Sequence, residues 1–119
     1  MSIKRVSIQS AYTVEGVLRE NKRDRGVVIC HPHPLYGGSM NNNVVDAIEQ
    51  GFFAKGFTTL RFNFRGVGLS GGYYDEGNGE VDDLVASLEF LKSHLDENAV
   101  IVLAGYSFGA WICSRAAQG

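Results

Sequence analysis

Length and charge narrow the class of protein first. The chain has 119 residues, enough for one domain with a sizeable core. Its formal net charge is −2, and 11 Lys and Arg are outnumbered by 13 Asp and Glu, so the basic footprint of a nucleic-acid-binding protein is excluded. No apolar run approaches the ~20 residues that span a membrane. We therefore expect a cytoplasmic protein that binds neither nucleic acid nor membranes.

Strand and helix patterns alternate along the chain. Apolar and polar residues alternate at Ile3–Ile8 and Tyr12–Leu18, which predicts half-exposed strands, and the basic run Lys22–Arg25 predicts a solvated turn. Further strands are predicted at Gly26–Cys30, Phe57–Phe64 and Val100–Ala104. Helical spacing of apolar residues predicts helices over 44–53, 80–95 and 108–117. This order of elements indicates an α/β fold with a mostly parallel sheet.

A G-x-S-x-G pentapeptide lies at 105–109, between a predicted buried strand and a predicted helix. A serine nucleophile there must occupy a sharp turn that raises its hydroxyl above the sheet. Its neighbours two positions away must then be glycine, because the strand and helix backbones approach closely. The pattern predicts Ser107 as the nucleophile, with Gly105 and Gly109 permitting the turn. The helix N-terminus makes the amide of Phe108 a predicted donor to a developing oxyanion.

The segment HPHPLYGGS, residues 31–39, directly follows the first buried strand. Acyl transfer needs a second backbone donor from a loop in this position, and Gly37 and Gly38 let the loop curl toward the nucleophile. Proline has no amide hydrogen. The predicted second donor to the oxyanion is therefore the amide of Leu35 or Tyr36.

Histidines and cysteines in this chain do not indicate a metal. His31 and His33 have no evident third ligand, so we expect them to order their loop through hydrogen bonds, with no metal site and no cofactor. Cys30 ends a predicted strand and Cys113 lies on a predicted helix. Both are interpreted as small buried hydrophobic residues, with a disulfide or a metal pair as the alternative.

A glycine-rich loop at 65–72 contains the pattern G-x-G-x-x-G after a strand. This pattern is also the fingerprint of a dinucleotide site. The glycines do not open a helix here, and they follow the second buried strand, whereas the fingerprint follows the first. Nucleotide binding is therefore retained only as a minor alternative.

Acidic residues are concentrated after this loop. They are Asp75, Glu76, Glu80, Asp82 and Asp83. We expect them to solvate the loop and to complement the positive end of the following helix. An ion pair with Arg61 or Arg65 is the alternative.

The three motifs together resemble one family. HPHP with Gly37-Gly38, then RFNFRGVGLSGG at 61–72, then GYSFG at 105–109, are similar to the α/β-hydrolase superfamily, most of all to a small bacterial-type branch without a lid domain and of esterase or thioesterase type. The resemblance covers all 119 residues. It implies a doubly wound, mostly parallel sheet whose fifth strand leads to Ser107, and a glycine-rich loop that is a structural wall of the site.

In this superfamily the catalytic acid and histidine follow the nucleophile in the chain. Residues 108–119 contain no His, Asp or Glu, and the three histidines of the chain all precede Ser107. The resemblance therefore implies that residues 1–119 are the N-terminal part of a single hydrolase domain, truncated after the helix that follows the nucleophile. Truncation leaves Val100–Ala104 as a bare sheet edge, so self-association through the unfinished sheet is expected.

The expected function is hydrolysis of a carboxylic ester or thioester bond in a small-molecule acyl substrate, through an acyl-enzyme on Ser107. The active site is expected to be complete only with an Asp and a His from sequence beyond residue 119, and the 119 residues alone are expected to be inactive. The alternative is a non-catalytic α/β-hydrolase-like fragment, either a binding module or a relic.

Overall fold

Strands and helices alternate in the computed structural model, which describes residues 2–118. The elements are β1 (Ile3–Gln9), β2 (Thr13–Arg19), β3 (Lys22–Cys30), α1 (Asn43–Ala54), β4 (Phe57–Phe62), α2 (Asn78–Lys92), β5 (Val100–Gly105) and α3 (Phe108–Gln118). A short 3₁₀ turn, Pro34–Tyr36, lies between β3 and α1. None of the helices described is long and apolar enough to cross a bilayer.

The five strands form one sheet in the order β1-β2-β4-β3-β5. β3 pairs in parallel with β4 and with β5, whereas β1–β2 and β2–β4 are antiparallel. Helix α1 crosses over from β3 to its neighbour β4, and α2 carries the chain from β4 past β3 to β5, which keeps these three strands parallel. Because Cys30 is in register with Gly105, the loops that follow β3 and β5 begin side by side at one edge of the sheet.

Strand β3 shows that helices cover both faces of the sheet. Its alternate residues Val28 and Cys30 belong to a core cluster with residues of α2 and α3. Val27 and Ile29, which point to the other face, pack with residues of α1. All four side chains are fully buried. The predicted doubly wound α/β architecture is therefore confirmed, with an antiparallel pair of strands added at one end.

The basic run Lys22–Arg25 lies in β3, so the prediction of a turn there is wrong. Lys22 pairs with Phe57 of β4, and Arg25 pairs with Val100 of β5. The charged side chains of this stretch remain largely exposed while the backbone extends the ladder. The basic run is therefore the solvated first part of a strand. Charged side chains are compatible with a strand there because the hydrogen bonds of the ladder use only backbone groups.

Candidate active site

Ser107 lies in a strained turn between β5 and α3. Only Tyr106 and Ser107 separate the last residue of the strand from the first of the helix. Ser107 has a φ of +58°, which places a residue with a side chain in the left-handed region that such residues seldom adopt. The residue is exposed. The turn therefore presents the hydroxyl to solvent at the carboxyl edge of the sheet.

The two glycines of the pentapeptide lie where backbones touch. A Cβ on Gly105 would lie 2.5 Å from the carbonyl carbon of Gly109, and a Cβ on Gly109 would overlap the carbonyl oxygen of Cys30. Tyr106 also donates its amide to that oxygen, at 3.3 Å. The end of β3 and the first turn of α3 therefore meet directly beneath Ser107. A side chain at Gly109 would separate them, and one at Gly105 would separate β5 from α3.

The N-terminus of α3 leaves an amide available beside Ser107. Gly109 donates to the carbonyl of Tyr106, and Trp111 donates to that of Ser107. The amide of Phe108 donates to no acceptor among residues 2–118, as expected for the first residue of a helix. The side chain of Phe108 is buried, so this residue contributes only its backbone to the exposed face.

The loop after β3 folds back on itself through His33. The side chain of His33 accepts the amide of Leu35 at 3.1 Å, and its carbonyl accepts the amides of Tyr36 at 3.1 Å and Gly38 at 3.0 Å. Both predicted oxyanion donors are thus engaged within the loop. Gly37 ends the 3₁₀ turn in the left-handed conformation, at a φ of +79°. The amide of His33 donates to no acceptor within the described part of the chain.

Comparison with known proteins identifies the family. The family described as alpha/beta hydrolase fold matches residues 27–118. The chain belongs to the α/β-hydrolase family. The resemblance and the fold class predicted from the motifs are confirmed.

Three proteins show how similar its relatives are. An uncharacterized protein of Rickettsia prowazekii is 47% identical over 88 residues, which are 74% of this chain and 37% of that protein. The structure of an alpha-beta serine hydrolase homologue from Coxiella burnetii is 43% identical with a TM-score of 0.91, over 98% of this chain and 58% of the other. A serine hydrolase without lid from Xanthomonas campestris is 33% identical with a TM-score of 0.91, over 99% and 56%. This chain thus spans just over half the length of the two solved hydrolases.

His31 ties the loop of this hydrolase fold to the end of β4. Its Nε2 accepts the amide of Phe64 at 3.0 Å, so its Nδ1 carries the proton and donates to the carbonyl of Pro32 at 2.7 Å. Burial lowers the pKa of His31 to about 4. His31 is therefore neutral at physiological pH and stabilises the loop from within the core.

None of the three histidines hydrogen-bonds to Ser107 in the part of the chain that the structure describes. His94 follows α2, where its Nδ1 lies 2.9 Å from the carbonyl oxygen of Phe90. Residues 2–118 also contain no group of three or more His, Cys, Asp or Glu side chains arranged to hold a metal ion. Cys30 and Cys113 are free thiols in the core, and burial raises the pKa of Cys30.

Backbone amides of the glycine-rich loop donate hydrogen bonds within the loop and to residues of β2. Gly66 donates to Gly71, Gly71 donates to Thr13, and Leu69 donates to the carboxylate of Glu15 at 2.6 Å. Ser70 is buried, and its hydroxyl donates to the carbonyl of Asn63 at 2.8 Å. A phosphate cradle needs free amides, so this arrangement fits a structural wall.

Two of the acidic residues, Glu80 and Asp83, are fully buried, which corrects the expectation that they solvate the loop, while Glu80 does lie in the first turn of α2 as expected. Asp83 forms a two-bond ion pair with Arg65, with N–O distances of 2.8 and 3.1 Å. Glu80 accepts the amides of Asp75 and Gly77 at 2.8 and 2.9 Å and caps α2. The alternative of an ion pair with Arg65 is thus confirmed for Asp83, because the loop folds back over α2 and encloses both carboxylates.

Tyr74 is a neighbour of the loop that the sequence analysis did not single out. Its hydroxyl lies 3.2 Å from Nε2 of His33, and its ring centroid is 5.1 Å from that of His33 and 6.1 Å from that of Phe108. The three residues are far apart in sequence, and no local pattern distinguishes Tyr74 from the adjacent Tyr73 as the partner of His33 and Phe108.

Proposed function

We propose that Ser107 is the nucleophile of a serine hydrolase that cleaves carboxylic ester or thioester bonds. The observation that carries the proposal is the positive φ of Ser107 in a turn closed by backbone contact at Gly105 and Gly109. Strain at one residue persists only where its surroundings enforce it, and such strain is concentrated at functional sites. The serine hydrolase relatives from Coxiella and Xanthomonas support the same conclusion.

The proposed reaction forms and breaks one bond to carbon in each of two steps. The Oγ of Ser107 attacks the carbonyl carbon while a general base takes its proton, and the carbonyl oxygen becomes an oxyanion. The tetrahedral intermediate collapses, the base returns the proton to the departing alcohol or thiol, and an acyl-serine remains. Water then attacks the acyl-serine in the same manner, releasing the acid and restoring Ser107. A serine nucleophile favours this acyl transfer over dehalogenation, which would use an aspartate.

Backbone amides stabilise the oxyanion in this proposal. The free amide of Phe108, at the positive end of α3, is the first donor. Leu35 and Tyr36 remain the predicted source of the second, which requires the loop to release their present bonds to His33. The amide of His33 needs no such release, and we add it to the candidates.

The general base and its orienting acid are proposed to come from sequence beyond residue 119. The histidines described are bound elsewhere, and the chain spans just over half of the solved hydrolases to which it is similar. In this fold the acid and histidine follow the nucleophile in chain order. A serine with oxyanion donors alone retains only a small part of the rate enhancement.

A fluorophosphonate probe tests the nucleophile. The protein is purified from its source and treated with the probe, and its intact mass is measured by mass spectrometry. Ser107→Ala and the control Ser114→Ala, which alters an exposed serine of α3, are treated in the same way. We expect one adduct in the natural protein and in Ser114→Ala, and none in Ser107→Ala. A protein that gains no adduct, or an adduct that survives Ser107→Ala, would favour the non-catalytic alternative.

A further inference from the structure

The hydrogen bonds of His33 determine which of its nitrogens carries the proton. The amide of Leu35 points at Nδ1 from 3.1 Å, and the hydroxyl of Tyr74 lies 3.2 Å from Nε2. A backbone amide can only donate, so Nδ1 is an unprotonated acceptor in this arrangement. The ring proton is therefore on Nε2, which donates to the oxygen of Tyr74. The opposite tautomer would lose the bond from Leu35.

Aromatic packing joins this hydrogen-bonded pair to the turn that holds Ser107. The ring of His33 lies 4.8 Å from that of Phe108, centroid to centroid, and 4.8 Å from that of Tyr36. Tyr74 contacts both His33 and Phe108. The loop after β3, the segment before α2 and the first residue of α3 thus meet in one aromatic cluster, in which centroid separations of this size are favourable.

Tyr74 itself is held by a rigid segment. The amide of the next residue, Asp75, is bonded to the fully buried carboxylate of Glu80. On the other side, a Cβ on Gly66 would lie 3.1 Å from the backbone nitrogen of Tyr74, so the glycine-rich loop packs directly against it. Burial, together with the nearby carboxylates of Glu80 and Glu76, raises the pKa of Tyr74. The hydroxyl is therefore neutral and able to accept at physiological pH.

We infer that Tyr74 is a positioning residue that holds the ring of His33 in place and thereby the shape of the loop beside Ser107. This inference rests on the proposed function for its consequence in catalysis. The amide of Leu35 selects the tautomer, and the hydroxyl of Tyr74 gives the opposite side of the ring a fixed hydrogen-bond partner. Without the hydroxyl only packing holds the ring, so the bond from Leu35 weakens and the 3₁₀ turn loosens next to Phe108.

The first test removes only the hydroxyl. Tyr74→Phe is compared with Tyr73→Phe, which alters a side chain that is 80% exposed, in the protein purified from its source. We expect the second-order rate of fluorophosphonate labelling at Ser107 to fall about three- to ten-fold in Tyr74→Phe, the usual effect of losing one neutral hydrogen bond, and to be unchanged in Tyr73→Phe. Hydrogen exchange at the amide of Leu35 should be faster in Tyr74→Phe than in the natural protein, and unchanged in Tyr73→Phe.

A rescue variant separates positioning through the His33 ring from simple packing. In His33→Asn, the side-chain oxygen takes the place of Nδ1 and accepts the amide of Leu35, with no ring for Tyr74 to hold. Tyr74→Phe should therefore have no further effect on labelling in that background. Equal slowing in both backgrounds would overturn the inference, as would unchanged hydrogen exchange at Leu35 in Tyr74→Phe. If the natural protein takes no label, the proposed function fails, and the exchange measurement still decides the role of Tyr74.

Discussion

At the scale of single residues, the pentapeptide around Ser107 combines two different physical demands. Ser107 needs a backbone conformation that costs energy for any residue with a Cβ, on the order of 1–3 kcal/mol. Gly109 needs no unusual φ, but it has no room for a side chain because the backbone of Cys30 fills the space. In the proposed function the first demand serves chemistry, and the second serves packing, so substitutions at the two positions should separate activity from stability.

Gly109→Ala should unfold the protein more easily. The new methyl group would overlap backbone that cannot move without separating β3 from α3, so we expect a loss of about 2–4 kcal/mol in the free energy of unfolding. Gly51→Ala is the matched control, because Gly51 lies on α1 with open space around it. It should gain up to about 1 kcal/mol from helix propensity. Urea unfolding measures both changes, and a neutral Gly109→Ala would contradict the close contact.

His31 should make stability depend on pH. Burial lowers its folded pKa to about 4, against an ordinary value of about 6.5, so the unfolded chain binds more protons between these limits. The stabilisation is full above pH 6.5 and is lost as the pH falls toward 4, by about 2 kcal/mol between pH 7 and pH 5. His31→Gln keeps an acceptor for Phe64 but does not titrate. Unfolding curves of the two proteins should diverge below pH 6.5, and parallel curves would show that His31 does not titrate in this way.

At the scale of elements, the start of α2 organises more than its own helix. Glu80 lies in the first turn of α2 and accepts two amides of the preceding segment. One of these belongs to Asp75, next to Tyr74, so the cap of α2 also orients a neighbour of the site. Asp83, one turn further on, holds Arg65 of the glycine-rich loop. The walls of the site are therefore attached to α2 by buried carboxylates.

Glu80→Ala should detach this segment and destabilise the fold. The buried amide of Gly77 and the partly buried amide of Asp75 would lose their acceptor, which costs about 1–3 kcal/mol for a buried group left unsatisfied. The control is Glu89→Ala, an exposed residue of α2 whose ion pair with Lys92 spans 3.7 Å. It should change stability by less than about 1 kcal/mol. Thermal unfolding and hydrogen exchange at Gly77 distinguish the variants, and rapid exchange in Glu89→Ala alone would refute the assignment.

At the scale of the whole molecule, the two edges of the sheet differ. Within residues 2–118 both β1 and β5 are edge strands with no strand beyond them, but β1 carries Lys4 and Arg5. β5 carries no charged residue, and its Val100 is 62% exposed. On α1, an open hollow of about 320 Å³ is lined by Ala47, Ile48, Gly51, Phe52 and Lys55. An uncharged open edge is a template for pairing with another chain.

Residues 1–119 produced alone should self-associate through this edge. Val100→Lys places a charge on it and should shift the protein toward monomer, because a desolvated lysine opposes strand pairing. Val85→Lys, on the exposed side of α2 and 44% exposed, adds the same charge elsewhere and should leave association unchanged. Sedimentation velocity across a concentration series measures this. A monomer at all concentrations, or equal effects of the two substitutions, would remove β5 as the interface.

The sequence by itself determined the kinds of element, their order along the chain and the position of the turn at Ser107. Each of these follows from local rules, since apolar periodicity reflects which faces are covered, and Gly105 meets a steric requirement set by the first turn of the adjoining helix. Even so, local reasoning assigned the basic run Lys22–Arg25 to a turn, because charge reports exposure of side chains and does not report backbone pairing.

Tertiary structure alone decided which distant groups meet. The order of the strands is one such outcome. The ion pair of Arg65 with Asp83 joins residues 18 positions apart, and the contact of Tyr74 with His33 joins residues 41 positions apart. A polar side chain has the same sequence signature whether it is solvated or buried against a partner. Its role is determined only when the chain brings that partner within hydrogen-bonding distance, which is a property of the whole fold.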